Sequence, residues 1–408
     1  MYNIPLVTVL KNRKNRFKLL LILTIGFGIF MYITDLSSLW LLRFFRDGEH
    51  RKWKTIGDQE NQSYFIDTEG CRMPSFKVFD ENVEKFVFDV PPIECGKPLV
   101  RSNNNYLWID LSETEIEKTY GVDDVNKLFC EYQPFRRKTD YENEFSKIRR
   151  VFRFGELIPV PNQFVRVICR LKGEKKEVYR DYHFLLKNKQ ANTIQRIRVE
   201  NKTEKDEGNE PMSVMVIGID SVSRLNFHRQ MGESAAVLLN DLQAIEMFGF
   251  NKVADNTYPN LIPTLTGLDE NELNSSCVSS ENDTFDRCDF IWNTFKKKNF
   301  TTAYVEDAAS LGLFHYYKAG FTNQPTDYSL RPAMVEMECN DKKPQDFNTY
   351  LCLGKRRTFD VLLEYAQKFI TLMADRLHFS FFWSTSYTHD YLNFPTLIDA
   401  NLAEFLLE

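Results

Sequence analysis

The stretch Val214-Met215-Val216-Ile217-Gly218-Ile219-Asp220 decides the fold class of this 408-residue chain. An uncharged apolar run that ends at a carboxylate is typical of a central parallel strand buried on both faces. In sheets built from such strands, functional side chains gather at the carboxyl ends. We therefore predict an α/β sheet with Asp220 at its functional edge.

The chain after this strand alternates between helical and strand patterns. Apolar residues at helical spacing predict amphipathic helices, and short apolar or aromatic runs predict strands. Alternation of the two is the pattern of an α/β domain, which we place at residues 211–408. The predicted helices are 231–247, Phe359–Met373 and Asp399–Leu407, and the predicted strands are Phe248–Val253, Thr301–Val305 and Leu377–Trp383.

The preceding part of the chain has a different pattern. Residues 61–200 contain short aromatic and β-branched runs separated by Pro, Gly and Asn, which predict a mainly β domain. The polar residues 201–210 then predict a linker. The predicted strands of the β domain are Phe76–Phe79, Phe86–Val90, Tyr106–Leu111, Phe164–Cys169 and Val178–Leu186.

The eight cysteines indicate an oxidising compartment. All of them lie after residue 70, and no two are spaced C-x-x-C, so a structural zinc site is not expected. Their even number predicts disulfides, of which two could form within the β domain, although free buried thiols are the alternative. Eight cysteines allow about 105 pairings, so the sequence leaves the connectivity open.

The N-terminus has the pattern of a membrane anchor. Residues 11–18 carry five positive charges, and two apolar runs follow them, Leu19–Thr34 and Leu36–Leu42. By the positive-inside rule this predicts a cytoplasmic tail at 1–18, a signal anchor at 19–42 and a stalk at 43–60. Cleavage after the anchor would give a secreted form, and a buried core helix is the alternative.

The body of the chain is therefore expected outside the cytosol, as a type II membrane protein of the secretory pathway or cell surface. Five N-x-S/T sequons agree with a glycoprotein. The net charge of −5 lacks the basic surplus of proteins built to hold nucleic acid. The sequons begin at Asn61, Asn201, Asn274, Asn282 and Asn299.

A candidate nucleophile follows the predicted strand 248–253. Thr257 stands before the turn Tyr258-Pro259-Asn260, at the start of an expected helix. Its hydroxyl could cap that helix, or it could be a nucleophile activated by a neighbouring base or metal. Asp220 has two similar interpretations, as a metal ligand or as the cap of the following turn.

Three segments resemble the metazoan family called domain of unknown function 229, a branch of the alkaline phosphatase–sulfatase superfamily. The resemblance covers about residues 70–408 and is specific over 214–332. The segments are V-M-V-I-G-I-D-S-V-S-R-L-N-F (214–227), N-K-V-A-D-N-T-Y-P-N-L-I-P-T-L-T-G (251–267) and A-Y-V-E-D-A (303–308) followed by F-H-Y-Y-K-A-G-F (314–321).

The resemblance implies a fold and a site. The fold is an alkaline-phosphatase-like central sheet, here incomplete. Thr257-Tyr258-Pro259-Asn260 is similar to the T-F-P-N turn of superfamily phosphodiesterases, which implies that Thr257 is the nucleophile and a metal ligand. By the resemblance Asp220 matches a metal ligand, and His389 is similar to a histidine that would contact substrate or metal. A histidine of a surface loop is the alternative for His389. The implied activity is hydrolysis or transfer of phosphoric esters with divalent metals, expected to be zinc.

The chain also departs from the family pattern. It has no Asp-His pair of the S-D-H-G type, and it ends at Glu408 inside a predicted helix. We therefore expect a truncated sequence that lacks metal ligands and is inactive. Sulfatase chemistry is not expected, because neither C-x-P-x-R nor S-x-P-x-R occurs. The alternative function is a non-catalytic glycoprotein ectodomain that binds a protein or glycan partner.

Overall fold

A computed structural model describes residues 64–189, 211–280 and 282–408 of the chain. They belong to one compact unit, residues 61–408. Within these described ranges, no helix is both long and apolar enough to cross a membrane.

Four of the predicted segments lie outside the described residues: the cytoplasmic tail, the signal anchor, the stalk and the linker at 201–210.

The N-terminal half of the described chain is rich in antiparallel strands. Strands β1 and β2 form a hairpin, β3, β4 and β8 form one sheet in the order β3-β4-β8, and a larger sheet has the order β10-β9-β5-β6, with β7 also paired to β5. The elements are β1 (Tyr64–Thr68), β2 (Cys71–Pro74), α1 (Glu81–Glu84), β3 (Val100–Ser102), β4 (Tyr106–Ile109), α2 (Glu113–Tyr120), β5 (Leu128–Arg137), β6 (Asn143–Phe145), β7 (Arg150–Arg153), β8 (Ile158–Pro159), β9 (Phe164–Leu171) and β10 (Glu177–Phe184).

The C-terminal half alternates strands and helices. It also contains a π-helical turn, Val237–Asp241, which directly follows α4. The elements are β11 (Val214–Ile219), α3 (Arg224–Gln230), α4 (Gly232–Ala236), α5 (Tyr258–Thr266), α6 (Glu270–Ser276), α7 (Ile291–Lys297), β12 (Thr301–Glu306), α8 (Arg331–Cys339), β13 (Cys352–Leu353), β14 (Arg356–Arg357), α9 (Thr358–Met373), β15 (His378–Ser384) and α10 (Asp399–Leu407).

A three-stranded parallel sheet of order β11-β15-β12 organises this half. Ile219 pairs with Ser384 and Glu306 with Trp383, so the three carboxyl ends meet at one edge. The predicted strands 214–219, 301–305 and 377–383 are confirmed, as are the helices 359–373 and 399–407. The fold is therefore of mixed α/β class, with several sheets.

Both faces of the parallel sheet are covered along β12 and β15. Side chains such as Val305 and Phe382 pack on one face against α8, α9 and the larger antiparallel sheet. Side chains such as Tyr304 and Phe381 pack on the other face against α5 and α7. Because β12 and β15 are buried on both sides, they appear in the sequence as largely apolar runs. The prediction that β11 is a central strand buried on both faces is wrong, because β11 lies at the edge of the order β11-β15-β12 and its residues are half-buried or exposed.

The close pairing of β11 with β15 depends on a glycine. A Cβ atom built on Gly218 would lie 1.9 Å from Cε3 of Trp383, its partner in the register between β11 and β15. The Trp383 ring occupies the space above Gly218 and stacks on Phe381, with ring centroids 5.9 Å apart. Any side chain at 218 must therefore displace the indole ring.

Three predicted strands are wrong, and one predicted helix is too long. Residues 76–79, 86–90 and 248–253 are irregular, with Phe250 80% exposed, because these apolar runs have no paired neighbour among the described strands. The helix predicted at 231–247 ends at Asp241, since Gln243 adopts a positive φ of 52°. Leu242 and Ile245, which we placed on its apolar face, are 50% and 87% exposed.

All eight cysteines lie within the described residues, and six of them form disulfides. Cys130–Cys169 joins β5 to β9, and Cys277–Cys288 closes a short loop. Of the two disulfides predicted inside the β domain, one forms. Cys95 instead pairs with Cys352, which lies 257 residues further along the chain, and their Cα atoms are 5.5 Å apart. The unpaired and exposed cysteines are Cys71 and Cys339.

We predict that Gly218→Ala destabilises the protein by at least about 2 kcal/mol, because the added methyl group overpacks the core against Trp383. The free energy of unfolding, measured by denaturant titration, tests this. Gly70→Ala is the matched control, since nothing lies within 4 Å of a Cβ at that position. Equal stability of the two variants would contradict the packing described for Trp383.

Candidate functional site

Asp220 lies at the carboxyl end of β11 and is only 5% exposed. Its backbone N–H donates to the Ser384 carbonyl at 2.9 Å, which extends the pairing with β15 one residue beyond the strand. The next residue, Ser221, has a positive φ of 58° and turns the chain toward α3. A non-glycine residue in this conformation costs about 1–3 kcal/mol, and such strain clusters at functional sites.

Thr257 meets Asp220 at this edge. It occupies the N-cap position of α5, but its side chain makes no capping hydrogen bond. The hydroxyl Oγ1 instead donates to Asp220 Oδ1 at 2.9 Å. The structure thus brings these two predicted site residues into direct contact, and the residue preceding Thr257, Asn256, also has a positive φ, of 71°.

Asn260 holds the loop that presents Thr257. Its Oδ1 accepts from the N–H groups of Val253 at 2.7 Å and Ala254 at 3.3 Å. Its Nδ2 donates to the carbonyls of Ala254 and Asn256, both at 2.7 Å. The amide group therefore uses both of its donors and both of its acceptor sites on one loop.

The turn that follows β15 carries His389. Its backbone N–H donates to the Thr385 carbonyl at 3.1 Å, and its Nδ1 lies 2.9 Å from Asp390 Oδ1. Asp390 also accepts from the backbone and side chain of Asn348. With Nδ1 held by a carboxylate, Nε2 is the ring nitrogen left to contact a substrate.

Asp307 is a site residue that sequence reasoning missed. It follows β12, is 1% exposed, and accepts from Ser384 Oγ at 2.8 Å and Ser386 Oγ at 2.6 Å. It also accepts from the Thr385 N–H at 2.7 Å. Asp307 therefore fixes the start of the turn that carries His389. Its position two residues after the predicted strand 301–305 could have placed it at this edge of the sheet, although it would not have identified its partners.

Burial shifts the pKa values of both carboxylates at this edge in the same direction. Burial raises the pKa of Asp220, and the Thr257 hydroxyl, the charge of His389 and the Ser221 N–H offset this only in part. Burial likewise raises the pKa of Asp307, despite its hydrogen bonds from Ser386, Thr385 and Ser384. A carboxylate with a raised pKa is a stronger base than an ordinary one, which suits Asp220 to accept the Thr257 proton.

The site offers few ligands to a metal ion. Within the described parts of the chain, no three His, Cys, Asp or Glu side chains are grouped so that they could hold one. Asp220 and Thr257 offer two oxygen ligands, fewer than the three or four protein ligands of a zinc site. These residues alone do not make a zinc centre, and we assign no reaction step to a metal.

The fold and the site define an α/β protein with a carboxylate–threonine pair at the carboxyl ends of its parallel strands. The chain belongs to the family described as "Protein of unknown function (DUF229)", whose model matches residues 92–408. The resemblance to this family is therefore confirmed. No curated protein and no solved structure matches the chain.

We predict that Asn260→Ala destabilises the protein by about 1–3 kcal/mol, because it leaves loop N–H and carbonyl groups without partners. Thermal unfolding of the variant measures the loss. Thr264→Ala is the control on the same helix, since that side chain is exposed and bonds only to the Asn260 carbonyl. A loss no larger than that of the control would contradict the role assigned to Asn260.

Asp220→Asn is expected to stabilise the protein at pH 7. The raised pKa means that folding penalises the ionised carboxylate, and this penalty develops as the pH rises through the interval between the ordinary and the raised pKa. The free energies of unfolding of the variant and the parent protein should therefore differ at pH 7 and converge near pH 3.

Asp255→Asn is the control for this comparison, because its side chain is 86% exposed. Its effect should stay within about 0.5 kcal/mol at either pH. An Asp220→Asn variant that is less stable than the parent protein at pH 7 would contradict the unfavourable burial of the Asp220 charge.

Proposed function

We propose that the edge formed by Asp220, Thr257 and His389 is part of a phosphoric-ester site of the alkaline phosphatase–sulfatase type. The observation that carries this proposal is the hydrogen bond from Thr257 Oγ1 to Asp220 Oδ1. A threonine hydroxyl is a weak nucleophile until a base takes its proton, and a buried carboxylate at hydrogen-bond distance can do so. Thr257 is then the nucleophile rather than a helix cap.

The reaction would transfer the phosphoryl group to the chain. Thr257 Oγ1 forms a bond to phosphorus, and its hydroxyl proton moves to Asp220 Oδ1. The bond from phosphorus to the leaving oxygen breaks, and the departing alkoxide or phenolate takes a proton from water. In a second step water would release the phosphoryl group from Thr257, as phosphate from a monoester substrate or as a phosphate monoester from a diester. Such a two-step route is the general logic of covalent catalysis.

Two features would hold the phosphoryl oxygens. The first turn of α5 begins at Tyr258, where the positive end of the helix dipole favours an anion, although Pro259 has no N–H and the Asn260 and Leu261 N–H groups donate to the Thr257 carbonyl. His389 lies close enough for its charge to lower the pKa of Asp220, and its Nε2 can contact a phosphoryl oxygen. The leaving alcohol would then point away from α5.

Zinc, the metal expected from the family resemblance, would supply a lower pKa for the Thr257 hydroxyl if it were bound, but no step of the proposal depends on it. Asp220 and Thr257 would be two of its ligands, and the remaining ligands would have to come from residues outside the described ranges. Without these further ligands we expect phosphorylation of Thr257 with little turnover.

The proposed setting is the lumen of the secretory pathway or the cell surface, with residues 19–42 as the anchor. The three disulfides support an oxidising compartment. The described sequons also agree with glycosylation, because Asn274, Asn282 and Asn299 are all exposed.

Rapid mixing with an aryl phosphodiester tests the chemistry. We predict a burst of about one equivalent of released phenol per protein, the kinetic signature of a covalent intermediate. Thr257→Ala should abolish the burst, and Thr257→Ser should retain part of it. Thr264→Ala, which changes an exposed threonine of the same helix, should leave it intact.

Each assay is run with a chelator and with added zinc, so that an effect of metal is separated from the effect of Thr257. A burst that survives Thr257→Ala would contradict the proposed nucleophile. The absence of any burst in the parent protein under both conditions would favour the alternative function, a glycoprotein ectodomain that binds a protein or glycan partner.

A further inference from the structure

A cavity of about 320 Å³ lies beside the carboxyl end of β11. Volumes of about 300–1,000 Å³ are typical of small-molecule pockets, so this cavity is at the lower end of that range. We propose that it binds the apolar organic group of the phosphoric ester on which Thr257 acts. This inference rests on the proposed function and adds a substrate class to it: esters of short alkyl or small aryl alcohols.

The lining of the cavity is mostly apolar. Side chains from β11, α3, the π-helical turn and the following loop contribute to it, and several of them are incompletely covered by the protein itself. Ile245, at the rim, is 87% exposed. An occupant would therefore remove apolar surface of the protein from water as well as its own. The apolar lining residues are Ile219, Val222, Phe227, Leu238, Leu239, Ala244 and Ile245.

The charged residues of the lining neutralise one another. Glu246 Oε1 accepts from Arg224 Nε at 2.6 Å and lies 2.8 Å from His228 Nε2. The Arg224 guanidinium also lies over the rings of Phe248 and Phe65, 4.5 Å and 5.0 Å from their centroids. Arg224 is thus paired with a carboxylate and stacked on two aromatic rings, so it is not an unpaired cation for a phosphate. An uncharged organic group therefore fits the cavity better.

The cavity and the candidate site are formed in part by the same short turn of the chain. Ile219 and Val222, two of its lining residues, directly bracket Asp220 and Ser221. The positive φ of Ser221 turns the chain sharply at this point, so one short turn presents both the Asp220 carboxylate and the Val222 side chain. A phosphoryl group attacked at Thr257 would thus carry its organic group at the mouth of the cavity.

Binding of alkylphosphonates tests the inference without requiring turnover, because their carbon–phosphorus bond is not hydrolysed. Methyl-, propyl- and pentylphosphonate are titrated into the full chain by calorimetry. We expect the affinity to rise about fourfold for each added methylene, the amount that burial of a CH₂ group in an apolar site provides. Equal affinities for the three compounds, or no binding of any, would overturn the inference.

A matched pair of exposed residues locates the binding site. Ile245→Ser changes the cavity lining, whereas Met247→Ser changes a 70% exposed side chain of the same loop that does not line it. Neither change disturbs a buried core. Ile245→Ser should weaken pentylphosphonate about fivefold and leave methylphosphonate unchanged, and Met247→Ser should alter neither. Identical behaviour of the two variants would overturn the assignment to this cavity.

The two proposals fail in different ways. Chain-length-dependent binding without a burst would support the cavity and reject the chemistry proposed for Thr257. A burst in a protein that binds all three phosphonates equally would reject the cavity and leave that chemistry in place.

Discussion

Parallel pairing of β11 with β15 is the constraint on which the candidate site depends. The register places Ile219 opposite Ser384, and the ladder continues with the hydrogen bond from the Asp220 N–H to the Ser384 carbonyl. The same strand, β15, pairs with β12 on its other side and brings Asp307 to the same edge. Two carboxylates therefore flank one strand end, although they lie 87 positions apart in the sequence.

Several residues at this edge of the sheet have unfavourable conformations or environments. Asp220 and Asp307 are buried charges, and Ser221 and Asn256 adopt backbone conformations that cost free energy. The surrounding structure compensates through the packing of both sheet faces and through the loop hydrogen bonds of Asn260. Strain and buried charge that coincide at one sheet edge are the physical pattern of a site kept for chemistry rather than for stability.

The sequence predicted what depends on local pattern. Strands buried on both faces appear as apolar runs, and Asp220 and Thr257 could be proposed because each stands next to a predicted element. The strand predicted at 248–253 failed because an apolar run does not reveal whether a partner strand exists. Asp307 and the Cys95–Cys352 disulfide were missed because their partners are 77 and 257 residues away, and only the folded chain brings such groups together.

The central claim is that Thr257 receives the phosphoryl group, and peptide mass spectrometry tests it most directly. The chain is incubated with an aryl phosphodiester, quenched in acid and digested. The account predicts that the peptide containing Thr257 gains the arylphosphoryl group that remains after one phenol has left, assigned by fragmentation to that threonine and absent when Asp220 is replaced by Ala. Phosphorylation at other residues only, or none at Thr257 under any metal condition, would contradict the account.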